Sequence, residues 1–411
     1  MTMQTHFTGV LRATLGVLVA GIASCSSTTT GRNGSRMWIS QVHFQDPRTE
    51  TYLGSPSLVR MPDGAILAIH DYFGNGAPKN AYGEDFLTSL YRSEDDGRTW
   101  RHITLIPSCY WSTIFEHRGS AYIIGVSASS EHIVIRRSDN GGYTWTRPTS
   151  DTTGRLFVGG RGPSEPSYHN GPAPVLKYGG RIWRAYEDND KRGEFGPGFK
   201  VLVISADESS DLLRADSWRM SNKLPYDQGW NPPGFGDQSG WLEGNAVAGP
   251  DGRVWDILRL NSFPALNRAA MVSILDEGRR VEFNPATGFI DMPGGTCRFT
   301  IRRDPKTGLY WALVNDMEDD ATGRPRVRRN RLSAISSPDL RSWTKRATLI
   351  EYYKPTAEEA TRTTGFQYTD WQFDGDDIIY LTRTAFDGAH SFHDANRITF
   401  GRVEDFRQLV R

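Results

Sequence analysis

An all-β chain closed into a six-bladed β-propeller of four-stranded antiparallel blades is the fold this sequence predicts, and three observations predict it. The first is composition: 42 Gly, 22 Pro and 12 Trp among 411 residues, with 11% aromatic residues, favour short strands joined by tight turns over helices. The second is repetition, since one unit of apolar alternation, Gly-containing turn and second apolar strand occurs six times along the chain. The third is a recurrent Ser, Asp, Gly and Trp turn that follows several of these units.

The six hairpin turns are Pro62-Asp63-Gly64, His117-Arg118-Gly119, Tyr178-Gly179-Gly180, Pro250-Asp251-Gly252, Lys306-Thr307-Gly308 and Asp374-Gly375-Asp376. They recur at intervals of roughly 50 to 70 residues, a length suited to a four-stranded blade, with each turn joining strands one and two. Flanking runs such as Ala65 to Ile69 and Arg181 to Tyr186 are rich in β-branched and aromatic residues and too short for helices. An open sheet edge would invite aggregation. The segment Met37 to Phe44 is therefore expected to pair beside Arg397 to Val403 and seal the ring.

The N-terminus carries a different signal. Arg12 precedes an apolar stretch from Leu15 to Ile22 that is too short to span a bilayer and ends in small residues at Cys25. Ile22-Ala23-Ser24-Cys25 looks like a bacterial lipobox, in which cleavage precedes a lipid-bearing cysteine. The expected division is residues 1–25 as lipoprotein signal, 26–36 as flexible tether and 37–411 as propeller, exported and anchored to a membrane only through lipid on Cys25. The plain alternative is an ordinary cleaved signal followed by a chance cysteine. Cys109 and Cys297 fall in the second and fifth repeats, on opposite sides of a ring of six, beyond the reach of a disulfide. Both are expected to be buried thiols.

Forty-eight basic and 48 acidic residues cancel, so no overall field would draw the chain to nucleic acid or to an anionic membrane. The glycines sit at hairpin turns instead of the strand-to-helix junctions that cradle phosphates, so no nucleotide cofactor is expected. The chain is expected to be a monomer.

Candidate functional residues follow from repeat phase. In a propeller, one face of the central channel collects the starts of the first strands and the loops that leave the second strands. The strand-one starts supply Gly54, Trp111, His169, Asn170, Glu243, Arg298 and Tyr368. The strand-two ends supply Asp71 to Asp85, Glu187 to Asp190, Arg259, Asp316 and Arg383 to Asp394. Acids, arginines and a tyrosine are unusual where small or apolar packing residues would serve the fold. His390, His393 and Asp394 resemble a metal-ligand cluster only loosely, without helical i, i+4 geometry, so no metal is expected there. His390 is read as a substrate contact or a loop hydrogen-bonding group.

Ser93-Glu94-Asp95-Asp96-Gly97-Arg98-Thr99-Trp100 reads S-x-D-x-G-x-T-W in full, and in this the chain resembles the sialidase superfamily, whose Asp-box has that pattern. Ser138 to Trp145 repeats it with Asn140 at the Asp position, and Ser337 to Trp343 is a degenerate third copy. Glu243, followed sixteen positions later by Arg259, matches the fourth-blade pattern. The resemblance implies that Tyr368 is a nucleophile activated by Glu243, that Asp85 is the acid/base, with Glu84 and Asp71 as the alternatives for that role, and that Arg259 and Arg298 bind a glycan substrate. Asp71, His169, Asn170, Arg383 and His390 stand with them as substrate-binding candidates.

The chemistry gives reasons for these residue types. A sugar bearing a carboxylate beside its anomeric carbon repels an Asp or Glu nucleophile, and a neutral phenol avoids that repulsion. Arginines would grip the carboxylate through charge-assisted hydrogen bonds. The chain departs from the family in blade one: Leu53-Gly54-Ser55-Pro56 stands where sialidases read Phe/Tyr-Arg-Ile-Pro. One arginine is thus missing, and Arg383 is the expected substitute. The expected function is a retaining exo-glycosidase acting on a terminal acidic sugar, sialic acid or a relative. The alternatives are a polysaccharide lyase using Tyr368 or His169 on uronate glycans, and a non-catalytic glycan-binding lipoprotein.

Overall fold

The computed structural model describes residues 27–30, 36–129, 131–189, 194–317 and 326–410. The signal segment and Cys25 lie outside the described residues. The architecture is all-β, with six antiparallel sheets in a ring and a single short α-helix, Ala357–Thr363, among the described residues.

Blade one comprises Tyr52–Arg60, Ile66–Phe73, Thr88–Ser93 and Arg101–Ile106, and blade two Tyr110–His117, Ser120–Val126, Ile133–Ser138 and Arg155–Phe157. Blade three splits its first strand into Tyr168–His169 and Leu176–Tyr178, both paired to Arg181–Asn189, and continues with Phe199–Asp207 and Trp218–Met220. Blade four runs Gly240–Ala248, Val254–Asn261, Arg268–Leu275 and Arg280–Glu282, and blade five Thr300–Arg303, Tyr310–Val314, Arg331–Ser337 and Thr344–Glu351.

The sixth blade closes the ring. Gly365–Asp374, Asp377–Ala385 and Arg397–Val403 are completed by Arg36–Phe44 from the other end of the chain, with Met37 opposite Val403 and Phe44 opposite Arg397. This is the expected closure. Ser27–Thr30, inside the segment read as a tether, pairs outside that strand as a further edge.

All six expected hairpin turns join strands one and two, and Gly64, Gly119, Gly180, Gly252, Gly308 and Gly375 each adopt a positive φ there. The three Ser-rich turns share one hydrogen-bond pattern. In the first, the Gly97 amide donates to Ser93 Oγ, the Thr99 amide to Asp95 Oδ1 and the Trp100 indole to the Gly97 carbonyl. Asn140 and Asp339 accept in the same way in blades two and five, and Trp145 and Trp343 donate back to their own turns.

The apolar core is distributed among the six seams between blades. One cluster joins blades one and two through Leu67, Ile69, Ile114 and Ile123, and the next joins two and three through Tyr122, Ile135, Tyr186 and Leu202. Trp183 meets Trp241 between three and four, Met271 meets Tyr310 between four and five, Trp311 meets Trp371 between five and six, and Phe400 meets Leu58 between six and one. Cys109 and Cys297 are free and buried, as expected.

Polar side chains tie the same seams near the axis. Asp370 accepts from Ser57 Oγ at 2.7 Å, and Ser57 Oγ in turn accepts from the Ile114 amide. Thr113 donates to the Ala173 carbonyl, the Gly244 amide to Glu187, the Ile301 amide to Asn245, and the Trp371 indole to the Thr300 carbonyl. Each link satisfies groups that burial would otherwise leave costly. Together they fix the first strands, which carry the candidate site.

Candidate active site

The first strands of blades one, two, four and six share a deviation from regular pairing. Gly54 pairs with Asp71 and Ser57 with Ile69, so three steps on strand one match two on strand two. The same extra residue occurs between Tyr110 and Thr113, between Leu242 and Asn245, and between Gln367 and Asp370. These are β-bulges, which bend a strand and re-aim a side chain. At each, a non-glycine residue takes a left-handed conformation: Ser55 (φ 36°), Trp111 (46°), Glu243 (56°) and Tyr368 (54°). Such a conformation costs on the order of 1–3 kcal/mol and persists where the surroundings impose it, often at functional sites.

The strand-two residue paired beside each bulge is equally telling. It is Asp71 in blade one, Arg259 in blade four and Arg383 in blade six, with Val126 in blade two. In blades one, four and six polar chemistry is therefore carried twice, by a bulge residue and by its neighbour across the ladder.

These side chains meet around a cavity of about 240 Å³ whose walls include Gly54, Asp71, Trp111, His169, Asn170, Glu243, Tyr368, Arg383 and His393. Phe73, Tyr110 and Phe195 add aromatic surface. The opposite mouth of the channel is larger, about 770 Å³. The charges around that mouth neutralise one another near solvent, Arg60 with Asp374 and Lys177 with Glu116. The smaller cavity is the one that holds withdrawn, reactive groups.

Glu243 is 3% exposed and its Oε2 accepts from Arg259 Nη1 at 2.7 Å. Arg259 also donates through Nε to the Thr296 carbonyl. Burial works to raise the Glu243 carboxyl, but the Arg259 charge, with His169 and hydrogen bonds from Arg259 and the Tyr368 phenol, outweighs it and holds the group below the usual carboxylate range. Burial and the Glu243 charge push the Tyr368 phenol up, while Arg259, Arg329 and Arg383 pull it down. Glu243 is thus ionised beside a neutral phenol.

Asp71 is 2% exposed, and burial pushes its carboxyl up to about 6 against the stabilising Trp111 amide, Ser55 hydroxyl and Arg383 charge. The Trp111 amide donates to Asp71 Oδ2 at 2.9 Å. A carboxyl that keeps its proton to that pH is suited to general-acid work.

Asp85, expected as the acid/base, is placed elsewhere. Its side chain is 54% exposed and lies 3.8 Å from Lys79. The loop after strand two carries it outward, whereas Asp71, still within the strand, is fixed by the ladder. Arg298 is buried outside the cavity walls, donating through Nη1 to the Thr369 carbonyl at 2.7 Å, while its Nε and Nη2 have no partner. Burial draws that guanidinium down to about 10. Arg383 donates to the His393 carbonyl, and its Nε also lacks a partner.

His169 Nδ1 donates at 3.0 Å to Glu187, a fully buried carboxylate that also accepts from the Gly244 amide. Asn170 donates to the Ala185 carbonyl and leaves its Oδ1 unpartnered. His390 stands off the cavity, exposed, bonded to Asp394 and packed on Tyr52. Its neighbour His393 reaches the cavity wall instead. Among the described residues, no group of three His, Cys, Asp or Glu side chains is placed to hold a metal ion.

Arg329 escaped sequence reasoning. It precedes the third strand of blade five, a position that repeat phase does not assign to the axis. Its guanidinium nonetheless lies over the Tyr368 ring, 5.8 Å from the centroid.

Neither a family model nor a curated protein sequence matches the chain. Solved structures do match it in fold. An α-L-arabinanase of Penicillium chrysogenum complexed with arabinobiose superposes with a TM-score of 0.55 at 14% identity, covering 92% of this chain and 98% of that one. The GH93 α-L-arabinofuranosidase of Fusarium graminearum, also with arabinobiose, gives 0.56 at 14% identity over the same shares. Trypanosoma rangeli sialidase in complex with sialic acid gives 0.53 at 14% identity, over 96% of this chain and 59% of that one. At these identities the likeness establishes a common fold.

Proposed function

We propose that this chain is a retaining exo-glycosidase that releases a terminal acidic sugar from a glycan, with Tyr368 as nucleophile, Glu243 as its base and Asp71 as acid/base. One observation carries the reading. An ionised Glu243, fixed by Arg259 and electrostatically coupled to the Tyr368 phenol, shares with that phenol the wall of a cavity that Asp71 also lines with a carboxyl of pKa about 6. Two groups pushed to opposite protonation states in one cavity are what acid–base chemistry needs.

In the first half-reaction the Tyr368 oxygen attacks the anomeric carbon and its proton passes to Glu243. The glycosidic bond breaks, and the leaving oxygen takes the proton of Asp71. In the second, the Asp71 carboxylate takes a proton from water, whose oxygen attacks the same carbon. The bond to Tyr368 breaks and the phenol recovers its proton from Glu243. Two inversions retain the anomeric configuration.

An acidic sugar is supported by a guanidinium group with an unused donor in the cavity wall: Nε of Arg383 is buried without a partner. A substrate carboxylate supplies the acceptor that such a group lacks. A second reading, a neutral terminal sugar, is favoured by Gly54, since Asp71 fills the space where sialidases carry their first arginine. Turnover of a panel of sialosides, uronides and arabinofuranosides by the signal-free protein separates the two. We further propose that the chain is exported and lipid-anchored at Cys25.

Tyr368→Phe tests the mechanism. The variant is expected to keep its circular dichroism and to lose turnover by at least a thousandfold, whereas wild-type activity would eliminate the reading. Proton NMR of the first-formed sugar should show the retained anomer.

A further inference from the structure

Two guanidinium groups bear on the Tyr368 ring, with Arg383 Cζ at 5.0 Å and Arg329 Cζ at 5.8 Å from its centroid. Both are nearly buried, at 6% and 8% exposure. Their hydrogen-bond acceptors are uncharged: Arg383 donates to the His393 carbonyl and Arg329 to Gln367 Oε1. Neither is ion-paired with a carboxylate in the described structure, in contrast to Arg259, which Glu243 neutralises. Arg329 is also held by its backbone, because its carbonyl accepts from the Phe366 amide at 2.7 Å, two residues before Tyr368. A buried positive charge left unneutralised against an aromatic face is a costly arrangement unless it meets negative charge during function.

We infer that Arg329, acting with Arg383, is a positioning residue that stabilises the negative charge developing on the Tyr368 oxygen as the phenol gives its proton to Glu243 and attacks. The inference rests on the glycosidase reading above and extends it to a residue outside the cavity wall. The ring of Tyr368 carries π-electron density that grows as the oxygen ionises, so a guanidinium over its face attracts the phenolate more strongly than the phenol. The same field explains how Glu243, held ionised and weakly basic by Arg259, can serve as the base: the phenol is made easier to deprotonate. Arg383 lines the cavity and can touch substrate. Arg329 does not line it, which makes Arg329 the clean test.

The experiment compares wild type, Arg329→Met and Arg329→Lys, labelled with [13Cζ]tyrosine, with Tyr368→Phe assigning the resonance. In Arg329→Met, the Tyr368 signal is expected to titrate at higher pH than in wild type. Its kcat is expected to fall about tenfold with KM within twofold, and Arg329→Lys should recover part of both losses. An unchanged titration in Arg329→Met overturns the inference, whatever happens to kcat. So does a Lys variant as slow as Met with wild-type titration, which would mark a purely structural role. The titration is read without turnover, so its failure is distinct from failure of the glycosidase reading, which Tyr368→Phe decides.

Discussion

A Cβ placed on Gly54 would stand 2.3 Å from Oδ1 of Asp71. No real contact is that short, so the absence of a side chain at Gly54 is what lets Asp71 enter the cavity. Gly54→Ala is expected to push the carboxylate aside and lower kcat/KM by at least tenfold. The near-ultraviolet circular dichroism of the fold should stay intact. A variant with wild-type kinetics would show that Asp71 need not occupy that position.

Asp71 links activity and stability to pH in the same sense, both being lost as it ionises. A free Asp ionises near 3.8, and Asp71 ionises near about 6 because burial disfavours its charge. Between those values the folded protein holds a proton that the unfolded chain has released, so stability falls as pH rises through that window. Above it, the full cost remains, on the order of 3 kcal/mol for a shift of about two units. Asp71→Asn should therefore raise Tm at pH 8 and leave it unchanged at pH 4, while lowering kcat by about 10²- to 10⁴-fold. In wild type, kcat should decline as pH climbs past about 6. Thermal scans and pH–rate profiles check both.

Glu243 and Arg259 are a buried pair, and removing one partner strands the other. Glu243→Ala is expected to cost about 3–5 kcal/mol in denaturant unfolding. Glu243→Gln keeps an acceptor for Arg259 and should lose much less stability while losing turnover. Equal destabilisation by the two variants would mean that Arg259 does not depend on this partner.

The closing strand Arg36–Phe44 contributes Met37, Trp38 and Val42 to the seams on either side of blade six. Burying each such side chain is worth about 1.5–3 kcal/mol, so their combined loss rivals the typical net stability of about 5–15 kcal/mol. A chain beginning at residue 45 should lose its near-ultraviolet circular dichroism and aggregate through the exposed edge at Arg397–Val403, read by size-exclusion chromatography.

Much of the fold was legible because hairpin turns and alternation are local signals. Pro62-Asp63-Gly64 or Pro250-Asp251-Gly252 announces a turn through backbone preference alone, and six such turns imply a ring. Closure by Met37 to Phe44 followed from the cost of an open edge. The placements of Glu243, Arg259, Tyr368 and Arg383 followed from repeat phase and family resemblance together. The bulges were not legible, since one extra residue leaves no mark in a strand whose alternation is already broken, as in Trp241-Leu242-Glu243-Gly244-Asn245-Ala246-Val247. Asp85 was misplaced for a related reason: a loop has no ladder to register it, while Asp71, paired with Gly54, does. Arg329 was invisible because its proximity to Tyr368 arises across two blades.

The repeated bulge separates architecture from chemistry. Because Ser55, Trp111, Glu243 and Tyr368 are supernumerary to the ladder, exchanging one alters what the cavity can do without disturbing a single strand register. A lineage of such rings can swap a phenol for an indole, or an acid for a hydroxyl, at four interchangeable sockets. Diversification of specificity then becomes a matter of refitting sockets on an unchanged frame.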